Sequence, residues 1–256
     1  MLIGILLPFM GTSLGAAFVL FMRNSMSEKL STILMGFTSG VMMAAAVWSL
    51  LLPSIDMSEK MGIWSFVPAA AGFLSGIVFL LLLDRIIPHL HAKTNQMEGP
   101  KIHMKKVTMM VLAVTLHNIP EGMAVGVVFS ECLSETAVVT LAGAYLLSFG
   151  IALQNIPEGA IVSMPLKNSG KSRGRAFGYG VLSGAVEPIG AAITILLTKQ
   201  VENLLSYLLA FAAGAMVYVI VEELVPESSG GENSDMGTIG FAIGFVVMMI
   251  MDVAFG

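Results

Sequence analysis

The chain has 256 residues, 56% of them hydrophobic and 12% charged, with a mean hydropathy of +0.86. A soluble domain carries roughly 25% charged residues, so this is the composition of a chain embedded in lipid. A net charge of −4 argues against nucleic acid as a partner, and the single cysteine, Cys132, excludes an internal disulfide.

Runs of about 20 apolar residues predict eight spans, at 2–22, 30–53, 63–83, 107–130, 136–166, 176–198, 203–226 and 237–255. The first is expected to be a span and not a cleaved leader, because no basic region precedes it and Arg23 follows it. Connections are short except for 84–106, a polar stretch with three of the four histidines. No separate soluble domain is expected, so 1–256 reads as one transmembrane domain with a cytoplasmic loop at 84–106.

Basic residues in short loops are retained on the cytoplasmic side. Arg23 and Lys29 lie in the first loop, Arg85, Lys93, Lys101, Lys105 and Lys106 in the third, and Lys167, Lys171, Arg173 and Arg175 in the fifth. Only Lys60 and Lys199 fall in even loops, which predicts both termini outside. The outer loops then hold Asp56, Glu59, Glu131, Glu135 and Glu202, either as solvated charges or as a field that favours cation approach.

A weak internal repeat accompanies the eight spans. Ser13-Leu-Gly-Ala-Ala17 in span 1 matches Pro188-Ile-Gly-Ala-Ala192 in span 6, and Phe37, Gly40, Met42 and Leu50 match Phe211, Gly214, Met216 and Leu224 in span 7. The register is 175 residues in the first case and 174 in the second. Spans five apart run in opposite directions, so the repeat is inverted, a plan of secondary transporters whose site lies near the midplane.

Away from span ends, the ionisable residues are His117, Glu121, Glu158 and Glu187, besides Glu222 and Glu223 toward the inner end of span 7. Three uncompensated carboxylates at depth cost on the order of 8–10 kcal/mol, and no basic residue lies in any span to pair with them. A cation from outside the chain is therefore expected. His117 lies 11 residues from Lys106, Asn155 12 from Lys167, and Glu187 12 from Arg175. At about 1.5 Å per residue each is roughly 16–18 Å deep, near the middle of a 30 Å hydrocarbon core.

The spacing then defines a ligand set. His117-Asn118-Ile119-Pro120-Glu121-Gly122 places His117 and Glu121 four apart on one helix face, and Gln154-Asn155-Ile156-Pro157-Glu158-Gly159 repeats the pattern 37 residues later. Pro120, Pro157 and Pro188 release the carbonyls of Leu116, Leu153 and Gly184 from helical hydrogen bonds, which frees oxygens to line a polar cavity. An imidazole, three carboxylates and three side-chain amides form a borderline N/O set suited to Zn²⁺ and its first-row neighbours.

These paired helices resemble the ZIP (Zrt/Irt-like) metal transporters. Ser183-Gly-Ala-Val-Glu-Pro188, Phe211-Ala-Ala-Gly-Ala-Met-Val-Tyr218 and Glu222-Glu-Leu-Val-Pro-Glu227 are similar to the GufA-type branch. The resemblance implies an all-α membrane protein of eight transmembrane helices in a 3+2+3 arrangement, with spans 1–3 and 6–8 as the inverted repeat. It implies a cell (plasma or inner) membrane location, a homodimer, and Zn²⁺ as transported substrate, with Cd²⁺, Fe²⁺ or Mn²⁺ as others. It also implies a binuclear site: His117, Glu121, Gln154 and Glu158 for one metal, and Asn118, Asn155, Glu158 and Glu187 for the other. Better-studied members of the family have aspartate where this chain has Asn155. With Glu121, Glu158 and Glu187 ionised the site carries −3, so one divalent ion is expected to bind tightly and a second weakly.

Other readings were weighed from the same residues. The 20 methionines scatter and read as packing. His89, His91 and His103 form a loop metal site or are simply exposed, and Glu222, Glu223 and Glu227 guide metal at the cytoplasmic exit or are ordinary helix-end charges. An intramembrane metal-dependent hydrolase is the alternative function, although the His-Glu-x-x-His signature is absent. A carrier of organic anions lacks a membrane cation to hold its substrate.

Overall fold

The structure, a computed structural model, describes residues 1–21, 26–87, 89–90, 97–98, 106–134, 137–168, 170–198, 204–230 and 234–255. Among them run α1 (Leu2–Phe21), α2 (Glu28–Asp56), α3 (Phe66–Ile86), α4 (Lys106–Glu131), α5 (Leu141–Asn168), α6 (Arg173–Thr198), α7 (Leu205–Ser229) and α8 (Ser234–Phe255). All but α4 and α5 are long and apolar enough to cross a membrane by length and composition; those two, of 26 and 28 residues, carry the polar motifs. The chain is thus a multi-pass membrane protein. A two-residue antiparallel pair, His89–Leu90 with Met97–Glu98, is the one departure from an all-helical chain among the described residues.

Several helices bury small residues at their seams and turn many large ones outward. In α3, Pro68, Ala69, Gly72 and Gly76 are buried while Leu74, Phe79, Leu81 and Leu82 are exposed. Such inversion is stable only where lipid surrounds the bundle and close backbone packing replaces the hydrophobic drive. The main pairings are α1 with α5, α2 with α8, α3 with α7 and α4 with α6. At the α1–α5 seam, a Cβ added to Gly11 or Gly15 would run into the backbone of Ala152 or Ile156. Met42, Leu50, Phe129, Leu147, Ile151, Leu209, Met216, Ile220 and Met248 fill the centre, where the methionines serve as packing.

Prolines shape three helices. In α2 a π-helical turn, Ala46–Leu51, precedes Pro53, and in α7 another, Ile220–Leu224, precedes Pro226. The wider turn accommodates the missing donor and the ring's clash with the carbonyl four residues back. This is why α2 continues to Asp56, beyond the predicted end at 53. α6 breaks at Ala185, between Arg173–Gly184 and Val186–Thr198, directly after the carbonyl that Pro188 releases. α4 and α5 run unbroken through Pro120, Pro157 and Pro165. Ser27 and Ser172 cap α2 and α6 through the amides of Leu30 and Arg175, and Glu131 ties down the α4–α5 connection by accepting from the amides of Val138 and Val139 at 2.6 and 2.9 Å.

Candidate metal centre

All seven expected ligands are buried: Asn118, Glu121, Gln154 and Asn155 fully, Glu187 at 1% exposure, and His117 and Glu158 at 7%. No lysine or arginine is buried among the described residues. α4 contributes His117, Asn118 and Glu121, α5 contributes Gln154, Asn155 and Glu158, and α6 contributes Glu187 just beyond its break. Glu121 and Glu187 both lie within electrostatic reach of Glu158 and of Asn155. Three helices therefore bring these groups to one place.

The hydrogen bonds at this place have a direction. Gln154 Nε2 donates to Glu121 Oε1 at 2.7 Å, and Asn118 Nδ2 donates to the carbonyl of Ser183 at 3.0 Å. Each amide nitrogen thus has a protein acceptor, while Gln154 Oε1 and Asn118 Oδ1 have no protein partner. Glu121 Oε2, both oxygens of Glu158, Glu187 Oε2 and both amide atoms of Asn155 are likewise buried without a hydrogen bond. A buried polar atom without a partner costs about 1–3 kcal/mol, more when charged. Apart from Asn155 Nδ2 these atoms are acceptors, and such a surplus of acceptors over donors suits a cation better than an anion.

His117 departs from the expected grouping. The sequence places it on one face with Glu121, but its Nε2 abuts Glu223 Oε1 of α7. Glu158 and Glu227 are further electrostatic neighbours of His117. Among the described residues, no three His, Cys, Asp or Glu side chains stand close enough to hold one metal ion together. The imidazole and carboxylates thus do not by themselves close a coordination shell, and the amide oxygens of Asn118, Gln154 and Asn155 are the further donors at hand.

Two residues join the site in ways the sequence did not specify. Glu223, read from the sequence as an exit guide or a helix-end charge, is buried beside His117, whereas its neighbour Glu222 is exposed; the π-helical turn decides which of the two points inward. Thr12 Oγ1 donates to Glu187 Oε1 at 2.8 Å; Thr12 stands one residue before the repeat segment of span 1, a signal that could have found it. Thr38 supports the site from α2 by donating to the carbonyl of Gln154 at 3.2 Å. His91 and His103 lie outside the described residues, and of His89 only the backbone, in the strand pair, is described.

Buried acceptors gathered from three helices of a membrane bundle, with no buried lysine or arginine among the described residues, define an integral membrane protein with a polar centre. The ZIP Zinc transporter family model matches residues 98–252, and the chain belongs to that family, a family of transporters and not of enzymes. It is 35% identical to Zinc transporter GufA of Myxococcus xanthus, over all of this chain and 98% of that protein. It is also 35% identical to Zinc transporter ZIP11 of Xenopus tropicalis, over all of this chain and 97% of that protein. Zinc transporter ZIPB of Bordetella bronchiseptica is 33% identical over 97% of this chain and 79% of its own length.

Proposed function

We propose that the protein carries divalent transition-metal ions, zinc foremost, across the cell membrane toward the cytoplasm through the centre built by α4, α5 and α6. The observation that carries this reading is the set of buried, unpartnered acceptor atoms on Asn118, Glu121, Gln154, Asn155, Glu158 and Glu187, with no buried lysine or arginine among the described residues to neutralise them. A hydrated ion entering from outside exchanges water for these oxygens, and the ion's charge offsets the cost of holding carboxylates at depth. Glu158 belongs to both ligand sets, His117, Glu121, Gln154 and Glu158 on one side and Asn118, Asn155, Glu158 and Glu187 on the other. It has both oxygens without partners.

The eight-span 3+2+3 arrangement with both termini outside belongs to the same proposal. Exchanging α1–α3 with α6–α8 and α4 with α5 turns the α1–α5 pairing into α6–α4, and α2–α8 into α7–α3. The π-helical turns at Ala46 and Ile220 start 174 residues apart, which is the register of the sequence repeat in those helices. Cd²⁺, Fe²⁺ and Mn²⁺ suit the same donor set.

The test is flux. Purified protein in liposomes loaded with a zinc indicator is expected to admit zinc down its gradient, and a Glu121→Gln/Glu158→Gln protein reconstituted to the same density is not. Equal influx in the two preparations would remove the centre from the transport path.

A further inference from the structure

Thr12 is fully buried in α1, a helix outside both motifs, yet its hydroxyl reaches Glu187. Two close backbone approaches put it there. A Cβ on Gly159, the last residue of the α5 motif, would collide with the Thr12 carbonyl, and one on Gly184 would lie 2.8 Å from Thr12 Cβ. Gly122, the last residue of the α4 motif, is packed in the same way against the backbone of Glu187. The glycine that closes each motif thus seats one member of the Thr12–Glu187 pair.

Thr12 and Glu187 are 175 residues apart, the register that aligns Ser13–Ala17 with Pro188–Ala192. They are the same position of the internal repeat, meeting where its two halves cross. One half supplies a carboxylate and the other a hydroxyl that donates to it. The hydroxyl has one proton, and the carbonyl of Pro8, its other acceptor, is 3.4 Å away against 2.8 Å for Glu187. The carboxylate also makes the stronger acceptor.

We propose that Thr12 is a positioning residue of the metal centre: it holds Glu187 through Oε1, so that Oε2, which has no protein partner, is the oxygen offered to the metal. This rests on the reading of the centre as a metal site. A β-branched side chain suits the role, because its χ1 is stiff and the donor stays aimed without a mobile stem.

The experiment is a double-mutant cycle on purified full-length protein, read as zinc affinity by equilibrium dialysis, with melting temperature as a folding check and infrared difference bands of the Glu187 carboxylate on zinc addition. Thr12→Val keeps the shape and removes the donor; it is expected to weaken zinc about tenfold, in line with loss of a hydrogen bond to a charged group, and to shift the bands that Glu187→Gln abolishes. Thr12→Ser is expected to restore both to near wild type. In the Glu187→Gln background Thr12→Val is expected to add nothing, a coupling that a merely structural threonine does not show. Wild-type affinity in Thr12→Val, or its full penalty retained in the Glu187→Gln background, overturns the role of Thr12 alone. Unchanged zinc binding in Glu187→Gln itself overturns the metal-site reading and this inference with it. Thr12→Ala carries the same test if melting shows Thr12→Val to be misfolded.

Discussion

The two motif helices share the segment Asn-Ile-Pro-Glu-Gly but live in different surroundings. In α4 the residue before it, His117, turns its Nε2 to Glu223 of α7, and Asn118 spends its amide donor on the Ser183 carbonyl of α6. In α5 the equivalent Gln154 turns inward and donates to Glu121, while Asn155 lies against Glu121 and Glu187. Gly122 admits α6, and Gly159 admits α1. The same hexapeptide geometry is thus used once as an imidazole–carboxylate arm and once as an amide arm, and the helix packed behind each decides which. Sequence symmetry sets the spacing of the donors; the neighbours set their chemistry.

The strongest break of this near-symmetry is at the glutamates. Glu158 has both oxygens free of protein partners, whereas Glu121 already accepts from Gln154. Glu158→Gln is therefore expected to lower zinc uptake about 100-fold and Glu121→Gln about tenfold, taking the loss of a charged ligand as roughly 1.4 kcal/mol per decade. Initial zinc influx into proteoliposomes, corrected for reconstituted protein, measures both, and equal losses would show that the two arms are interchangeable.

Next come the glycines. Gly122→Ala and Gly159→Ala each force a Cβ into backbone of α6 or α1, an overpacking worth about 1–3 kcal/mol. Both are expected to lower the melting temperature, whereas Gly178→Ala, with nothing within 4 Å of its added Cβ, is expected to leave it unchanged or raise it, since alanine is the better helix former. A Gly122→Ala protein that melts like wild type would mean that α6 does not pack on the motif as described.

The asparagines give a smaller contrast. Asn155→Asp adds a charge in exchange for an amide donor that faces Glu121 and Glu187, and is expected to tighten the second zinc about tenfold. Asn118→Asp removes the donor to Ser183 and sets two acceptors face to face, so destabilisation without a gain in stoichiometry is expected. Glu223 adds a fourth carboxylate beside His117, so Glu223→Gln is expected to weaken the second metal. Dialysis with metal analysis separates these outcomes.

The smallest effect is that of pH. Carboxylate and imidazole ligands bind metal deprotonated, so protons compete. Zinc affinity is expected to fall a few-fold as pH drops below about 6, near the ordinary histidine value of roughly 6.5. His117→Gln, which gives the α4 arm the residue of the α5 arm, is expected to flatten that dependence. Affinity constant from pH 5 to 7.5 in the wild type runs against a titrating ligand set.

By itself the sequence determined the helices and their polar exceptions. Among the described residues the helical runs lie within about five residues of the predicted ones at every end, because in lipid the backbone must satisfy its own hydrogen bonds and long apolar stretches have no other solution. The charges at depth were equally legible, since a buried carboxylate without a cation is too costly to be incidental. Tertiary structure alone decided what each polar side chain faces. Whether His117 meets Glu121 or Glu223, whether Gln154 offers an oxygen or an amide, and whether a threonine of α1 joins the centre depend on rotations of whole helices and on π-helical turns around proline. The side-chain pairings join residues 33 to 175 positions apart on different helices, and the spacing within one helix does not encode them.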